Sequence, residues 1–196
     1  MEYLKVRSNK GNLIKGPLII KPKIFSDDRG YFFESWNQSE FNQIISRQVN
    51  FVQDNHSQSK LWVLRGLHYQ LNPKAQAKLV RCTKGEIFDV LVDIRKDSVT
   101  YGEWSSVVLN DQNKLQFWIP EGFAHGFISL KDLSEVQYKT NEYWDKNYER
   151  SLLWEDKDLK INWPLLSNDD KSKIIINEKD SSAPKLKEIE KSGGIF

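Results

Sequence analysis

The chain has one cysteine, Cys82, in 196 residues. An intramolecular disulfide and a multi-cysteine zinc site are therefore excluded. Cys82 lies in an apolar, strand-like run and reads as a small core residue rather than a nucleophile. No apolar run is long enough to span a membrane, and the start lacks the apolar stretch of a signal peptide, so cytoplasm is the expected location. Neither sign of charge dominates: 29 Lys and Arg against 27 Asp and Glu leave a net +2. No basic run forms a nucleic-acid footprint, so neither nucleic acid nor membrane is an expected partner. Histidine is scarce, limited to His56, His68 and His125. Imidazole is the usual proton carrier near neutral pH, so acid–base chemistry has few places to sit.

What the chain does have is aromatic residues: seven Trp, seven Tyr and ten Phe. They argue for a packed core or a ring-lined pocket and against disorder. The length suits one domain over 1–196, with a polar N-terminal arm over about 1–16 and a helical tail over about 181–196. Asn37 to Gln48 is expected as a short helix, capped by Asn37 with Glu40 completing a capping box. From Phe51 onward the pattern is extended. Short β-branched and apolar runs alternate with turn formers such as Lys84-Gly85, Asn110-Asp111 and Pro120-Glu121-Gly122. Ile87 to Ile94 has the character of a central strand. Many short strands between turns predict an all-β sandwich or barrel. Near the end, Ser182 is expected to cap a last helix, with Pro184 in its first turn.

Two stretches carry candidate chemistry. Arg65-Gly66-Leu67-His68-Tyr69-Gln70 gathers a cation, an imidazole, a phenol and an amide just before Lys78. Pro120-Glu121-Gly122-Phe123-Ala124-His125 fits the P-x-G-x-x-H pattern of the second cupin motif, which delivers a histidine to the mouth of a small β-barrel. The usual earlier cupin motif, a His-x-His with a glutamate, is missing, because Tyr69 and Gln70 follow His68. Stable transition-metal binding needs about three protein ligands, so a pocket without metal is expected. Such a pocket suits proton removal beside a carbonyl. That reaction needs a base, a cation on the developing enolate, and an acid on the opposite face. His68 fits the base, and Lys78 or Arg65 the cation. Any of seven tyrosines fits the acid.

Taken together, the motifs go further. Asp28-Arg29-Gly30-Tyr31-Phe32-Phe33-Glu34, Gln53-Asp54-Asn55-His56-Ser57 and the His68 motif occur in that order. They are followed by Gln76-Ala77-Lys78-Leu79-Val80-Arg81, Asp89 to Arg95, and Ile119 to Phe127. In order and spacing the set resembles the dTDP-4-dehydrorhamnose 3,5-epimerase family of the cupin superfamily. The resemblance implies a cupin-type jelly-roll fold and a cofactor-independent isomerase acting on a dTDP-linked 4-keto-6-deoxy sugar. It also implies a homodimer with strand exchange and shared sites.

Site roles follow from the resemblance residue by residue. His68 matches the base, Tyr138 the acid and Lys78 the lysine near the enolate. Arg65 matches the arginine near the sugar and diphosphate. Arg29, Glu34, Gln53 and Asn55 match positions that hold the nucleotide or shape the pocket, with Arg29 and Glu34 serving the partner's site. His125 matches a second pocket histidine. The base needs a carboxylate to fix its tautomer. Asn177 to Pro184 fits the family context best, which selects Asp180. Asp170 also lies downstream of Trp163-Pro164, and nearer to it. The rival expectations are an epimerase acting at C3 or C5 alone, a metal-dependent cupin, and a sugar-binding module without catalysis.

Overall fold

Alternating burial along the extended runs shows how the chain folds. A computed structural model of the chain describes residues 1–164 and 171–196. In chain order, the first strands are β1 (Glu2–Arg7), β2 (Leu13–Lys21), β3 (Phe25–Asp27) and β4 (Gly30–Phe32), followed by helix α1 (Gln38–Ile45). Next come β5 (Gln53–Ser59), β6 (Leu64–Gln70), β7 (Lys78–Lys84), β8 (Glu86–Asp93) and β9 (Trp104–Asn110). The last strands are β10 (Gln116–Ile119), β11 (Phe123–Ser129), β12 (Ser134–Thr140) and β13 (Glu149–Ser151). Among the described residues two short helices follow, Glu178–Ser181 and Leu186–Lys191, here α2 and α3.

The strands form two facing antiparallel sheets. One has the order β1-β2-β10-β7-β12-β5, the other β13-β6-β11-β8-β9, and β3 with β4 make a separate hairpin. This is the expected jelly-roll architecture of the cupins. The inner faces meet in a core of Val80, Phe117, Ile119 and Val136 from one sheet and Ile87, Leu91, Phe123 and Phe127 from the other. The outer face of the five-stranded sheet is covered by the C-terminal segment through Leu152, Trp154, Trp163, Leu186 and Ile189. The opposite outer face packs Trp118 and Leu79 on Phe41 of α1. Cys82 sits in the inner core, where burial pushes its thiol up to about 12 and keeps it protonated.

Three expectations are corrected. The polar N-terminal arm is instead the paired edge hairpin β1–β2, because Val6 and Ile14 close one end of the inner core. Asn37 does cap α1, its side-chain oxygen accepting from the Glu40 amide at 3.1 Å, but the reciprocal half of the box is absent. The Glu40 carboxylate accepts from the Met1 ammonium, a charged donor that outcompetes a neutral amide. Ser182 does not open the last helix. It closes α2, donating to the Glu178 carbonyl at 2.7 Å, and Lys185 stands at the start of α3. Pro184 disfavours helical backbone at the residue before it, so the new helix begins only beyond the proline.

Among the described residues, no helix is long and apolar enough to cross a membrane.

Candidate active site

The site forms where β6 and β11 run side by side. Their register sets His125 opposite His68. Gly66 and Gly126 allow this close approach. A Cβ on Gly126 would stand 2.5 Å from the Arg65 carbonyl oxygen and 3.0 Å from Gly66 Cα. Gly66 also has φ +119°, a conformation L side chains rarely adopt.

The tail brings the carboxylate. Asn177 accepts from the Asp180 amide at 2.7 Å and starts α2, while Ile175 bridges Val63 beside β6. Asp180 is thereby buried against β6. His68 Nε2–H donates to Asp180 Oδ1 at 2.6 Å, and the Gly66 amide donates to Oδ2 at 3.0 Å. Burial pushes the Asp180 carboxyl up. The hydrogen bond and charge of His68, the Gly66 amide and Lys179 outweigh it and hold the group below the usual carboxylate range. Both carboxylate oxygens are thus committed, which fixes the ring. His68 Nδ1 has no hydrogen-bond partner among the described residues, so that its lone pair is free to accept a proton. Asp170, the other candidate partner, lies outside the described residues.

A second histidine–aspartate pair lies deeper. His125 Nε2–H donates to both oxygens of Asp89, at 2.9 and 3.0 Å, and Asp89 has no exposed surface. Burial raises the Asp89 carboxyl and lowers the His125 imidazolium, so both shifts favour uncharged forms. Sequence reasoning did not single out Asp89 as the partner of His125. Its signal was an acid inside the apolar run Ile87 to Ile94, where an unpaired charge would be prohibitive.

Lys78 enters from β7. Its ammonium donates to the His68 carbonyl at 3.3 Å, and burial pulls it down to about 8 against the attraction of Asp89 and Glu149. Tyr138 projects inward from β12, in register with Asn55 of β5. Burial raises its phenol, as does Glu149, while Arg65 works the other way. Gln53 donates to Asn55 Oδ1 at 2.9 Å and holds it. Arg65 lies along β5, donating to Ser59 Oγ and the Gln58 carbonyl, each at 3.0 Å. Glu149 pairs with Lys179 at 2.5 Å next to the dyad. Neither of those two was singled out from the sequence.

These groups surround a cavity of about 280 Å³ lined by Asn55, Arg65, His68, Lys78, His125 and Tyr138, among others. His68 and His125 stand on the five-stranded sheet, Tyr138 and Lys78 on the other, so base and acid candidates face each other. Three expected residues do not line the cavity: Gln53 reaches it only through Asn55, and Arg29 and Glu34 stand elsewhere. Arg29 is paired with Asp27 at the tip of the β3–β4 hairpin with its side chain 89% exposed. Glu34 accepts from Asn37 near the start of α1. His56, half exposed, pairs with Glu135 and is among the residues that line the cavity. Among the described residues, no group of three or more His, Cys, Asp or Glu side chains converges on one point.

The profile of the family described as dTDP-4-dehydrorhamnose 3,5-epimerase matches residues 12–188. The chain belongs to that family. A relative of that name from Shigella flexneri is 59% identical over 148 residues, covering 76% of this chain and 82% of its own. Among solved structures, the Legionella pneumophila epimerase in complex with dTDP-4-keto-L-rhamnose superimposes with a TM-score of 0.87 at 40% identity, covering 97% and 96% of the two chains. The 3'-monoepimerase of Streptomyces bikiniensis, in complex with dTDP-quinovose, gives a TM-score of 0.86 at 30% identity, covering 93% and 89%. The family is one of isomerases, and the fold is that of the cupins.

Proposed function

We propose that the protein inverts C3 and C5 of dTDP-4-dehydro-6-deoxy-D-glucose to give dTDP-4-dehydro-L-rhamnose, without a cofactor. The observation that carries this reading is the placement of the His68–Asp180 dyad and Tyr138 on facing walls of one cavity. The C4 ketone acidifies the hydrogens on both neighbouring carbons. His68 Nδ1 takes one of them, and Asp180 steadies the imidazolium that results. Negative charge moves to the C4 oxygen, where the Lys78 ammonium meets it. Tyr138 then gives its phenolic proton to the other face of the carbon. Solvent reprotonates the tyrosine and removes the proton from His68, and the cycle repeats at the second carbon. Arg65, Gln53, Asn55 and His125 hold the nucleotide sugar around this axis.

The proposal includes a homodimer in which Arg29 and Glu34 complete the partner's site. That neither lines this chain's own cavity supports it. So does the exposure of Phe25, Tyr31 and Phe32 on the hairpin, at 52%, 58% and 67%. Rings this wet are costly unless another surface covers them. A cytoplasmic location is part of the same reading, in keeping with the free thiol of Cys82.

The test is turnover in D2O followed by NMR. Deuterium is expected at both C3 and C5. Label at a single carbon assigns the chain to the mono-epimerases, and label at neither overturns the reading.

A further inference from the structure

The wall of the cavity is polar almost throughout. Asn55, Arg65, His68, Lys78, Tyr138 and Asp180 each present a polar atom, and so do most of their neighbours. Apart from Gly126, one lining residue has no polar side-chain atom, and it is Phe127. Its ring is 4% exposed and rooted in the core between the sheets. The unbroken register of β11 with β8 puts it on the same face of β11 as His125, two residues along; against β6 the register shifts between the two, so that His125 stands opposite His68 and Phe127 opposite Arg65. An apolar wall therefore adjoins the base.

A 4-keto-6-deoxy sugar has one fully apolar substituent, the C6 methyl, and it is bonded to C5. When C5 is presented to His68, that methyl lies beside the base wall. We propose that Phe127 packs on the C6 methyl and sets the preference for a 6-deoxy sugar over its 6-hydroxy counterpart. This inference rests on the substrate class proposed above. A methyl group gains by leaving water for the ring face. A 6-hydroxyl in the same place would lose its water partners and find no protein partner on the ring. Selectivity of this kind is bounded, because an apolar pocket discriminates an added hydroxyl by roughly 10- to 100-fold. Phe127 is a specificity residue here and takes no part in proton transfer.

The test compares the binding of dTDP-6-deoxyglucose and dTDP-glucose, two unreactive probes that differ by one hydroxyl. Calorimetry on the wild type is expected to favour the 6-deoxy ligand by about tenfold. Phe127→Ala should bring the ratio close to one, and Phe127→Met, apolar and similar in volume, should keep most of it. If the alanine variant does not fold, Phe127→His carries the same expectation, since its ring offers the hydroxyl a partner. Using the ratio of two ligands cancels any general loosening of the site. A wild type without preference, or an alanine or histidine variant that keeps the full ratio, overturns the proposal. Absence of deuterium exchange in the wild type would instead overturn the reaction. Exchange accompanied by an unmoved ratio would overturn only the role of Phe127.

Discussion

His68 Nε2 lies 2.6 Å from Asp180 Oδ1, although 112 residues separate the two in the chain. Asp180→Asn keeps the shape but cannot stabilise the imidazolium as a carboxylate does. The expected result is a fall in kcat of about 10²- to 10⁴-fold with KM little changed, read by steady-state assay. The pH dependence of stability has a definite sign. The Asp180 carboxyl is held below its ordinary 3.8, so its contribution is full above that pH and is lost as pH falls through the folded value. The contribution of Asp180 to Tm, taken as the wild-type-minus-Asn difference, should therefore shrink below about pH 4.

Tyr138→Phe separates the two halves of the reaction. His68 still removes the proton, so hydrogen exchange with D2O should persist in recovered substrate. Inversion should drop by about 10²-fold or more, because the opposite wall has lost its acid. Loss of exchange and inversion in equal measure would assign the tyrosine another role.

Lys78 gives opposite pH signatures for activity and stability. Its ammonium is pulled from 10.5 down to about 8, so it loses charge, and the enolate its partner, as pH rises past 8. An alkaline limb of kcat near that value is expected. For folding, the unfolded chain holds this proton over a range where the folded chain does not. The Lys78 contribution to stability therefore rises between about pH 8 and 10.5. Lys78→Met should remove that rise, by about 3 kcal/mol at most, measured by denaturant unfolding across the pH range.

Gly126→Ala tests the close approach of β6 and β11. The added methyl meets the Arg65 carbonyl oxygen at 2.5 Å and Gly66 Cα at 3.0 Å besides the tip of Leu67, and backbone cannot swing aside, so the strands must part. A loss of about 1–3 kcal/mol is expected, together with a lower kcat from displaced His68 and His125. Thermal unfolding and turnover on one preparation read both effects.

The proposed shared-site dimer predicts complementation. Arg29→Ala and His68→Ala should each be impaired alone. After unfolding and refolding together, a hybrid dimer contains one site with both native residues, so activity should return to about a quarter of the wild type. A mixture no better than its parts would put Arg29 outside the partner's site.

Much of this arrangement could be read from the chain. The strand runs were legible because side chains alternate with period two, and Ile87 to Ile94 was apolar enough to identify a buried strand. The cap at Asn37 was legible because a side-chain acceptor three residues before a free amide is a local arrangement. The partner of Glu40 was not, since the Met1 ammonium arrives from far away in sequence. Ser182 was misplaced because a serine before a proline fits the end of one helix as well as the start of another.

By itself the sequence determined which chemical groups the protein owns and which face of each strand carries them. Three histidines and a set of ordered motifs pointed to proton transfer in a cupin, with a metal-dependent cupin and a sugar-binding module as the rivals. Only the tertiary structure decided the pairings: Asp180 with His68, Asp89 with His125, Glu149 with Lys179, and Tyr138 across the cavity from the base. Periodicity is set by neighbours along the backbone and is therefore written locally. Pairings arise where sheets close and the tail docks, between residues whose separation carries no local signal.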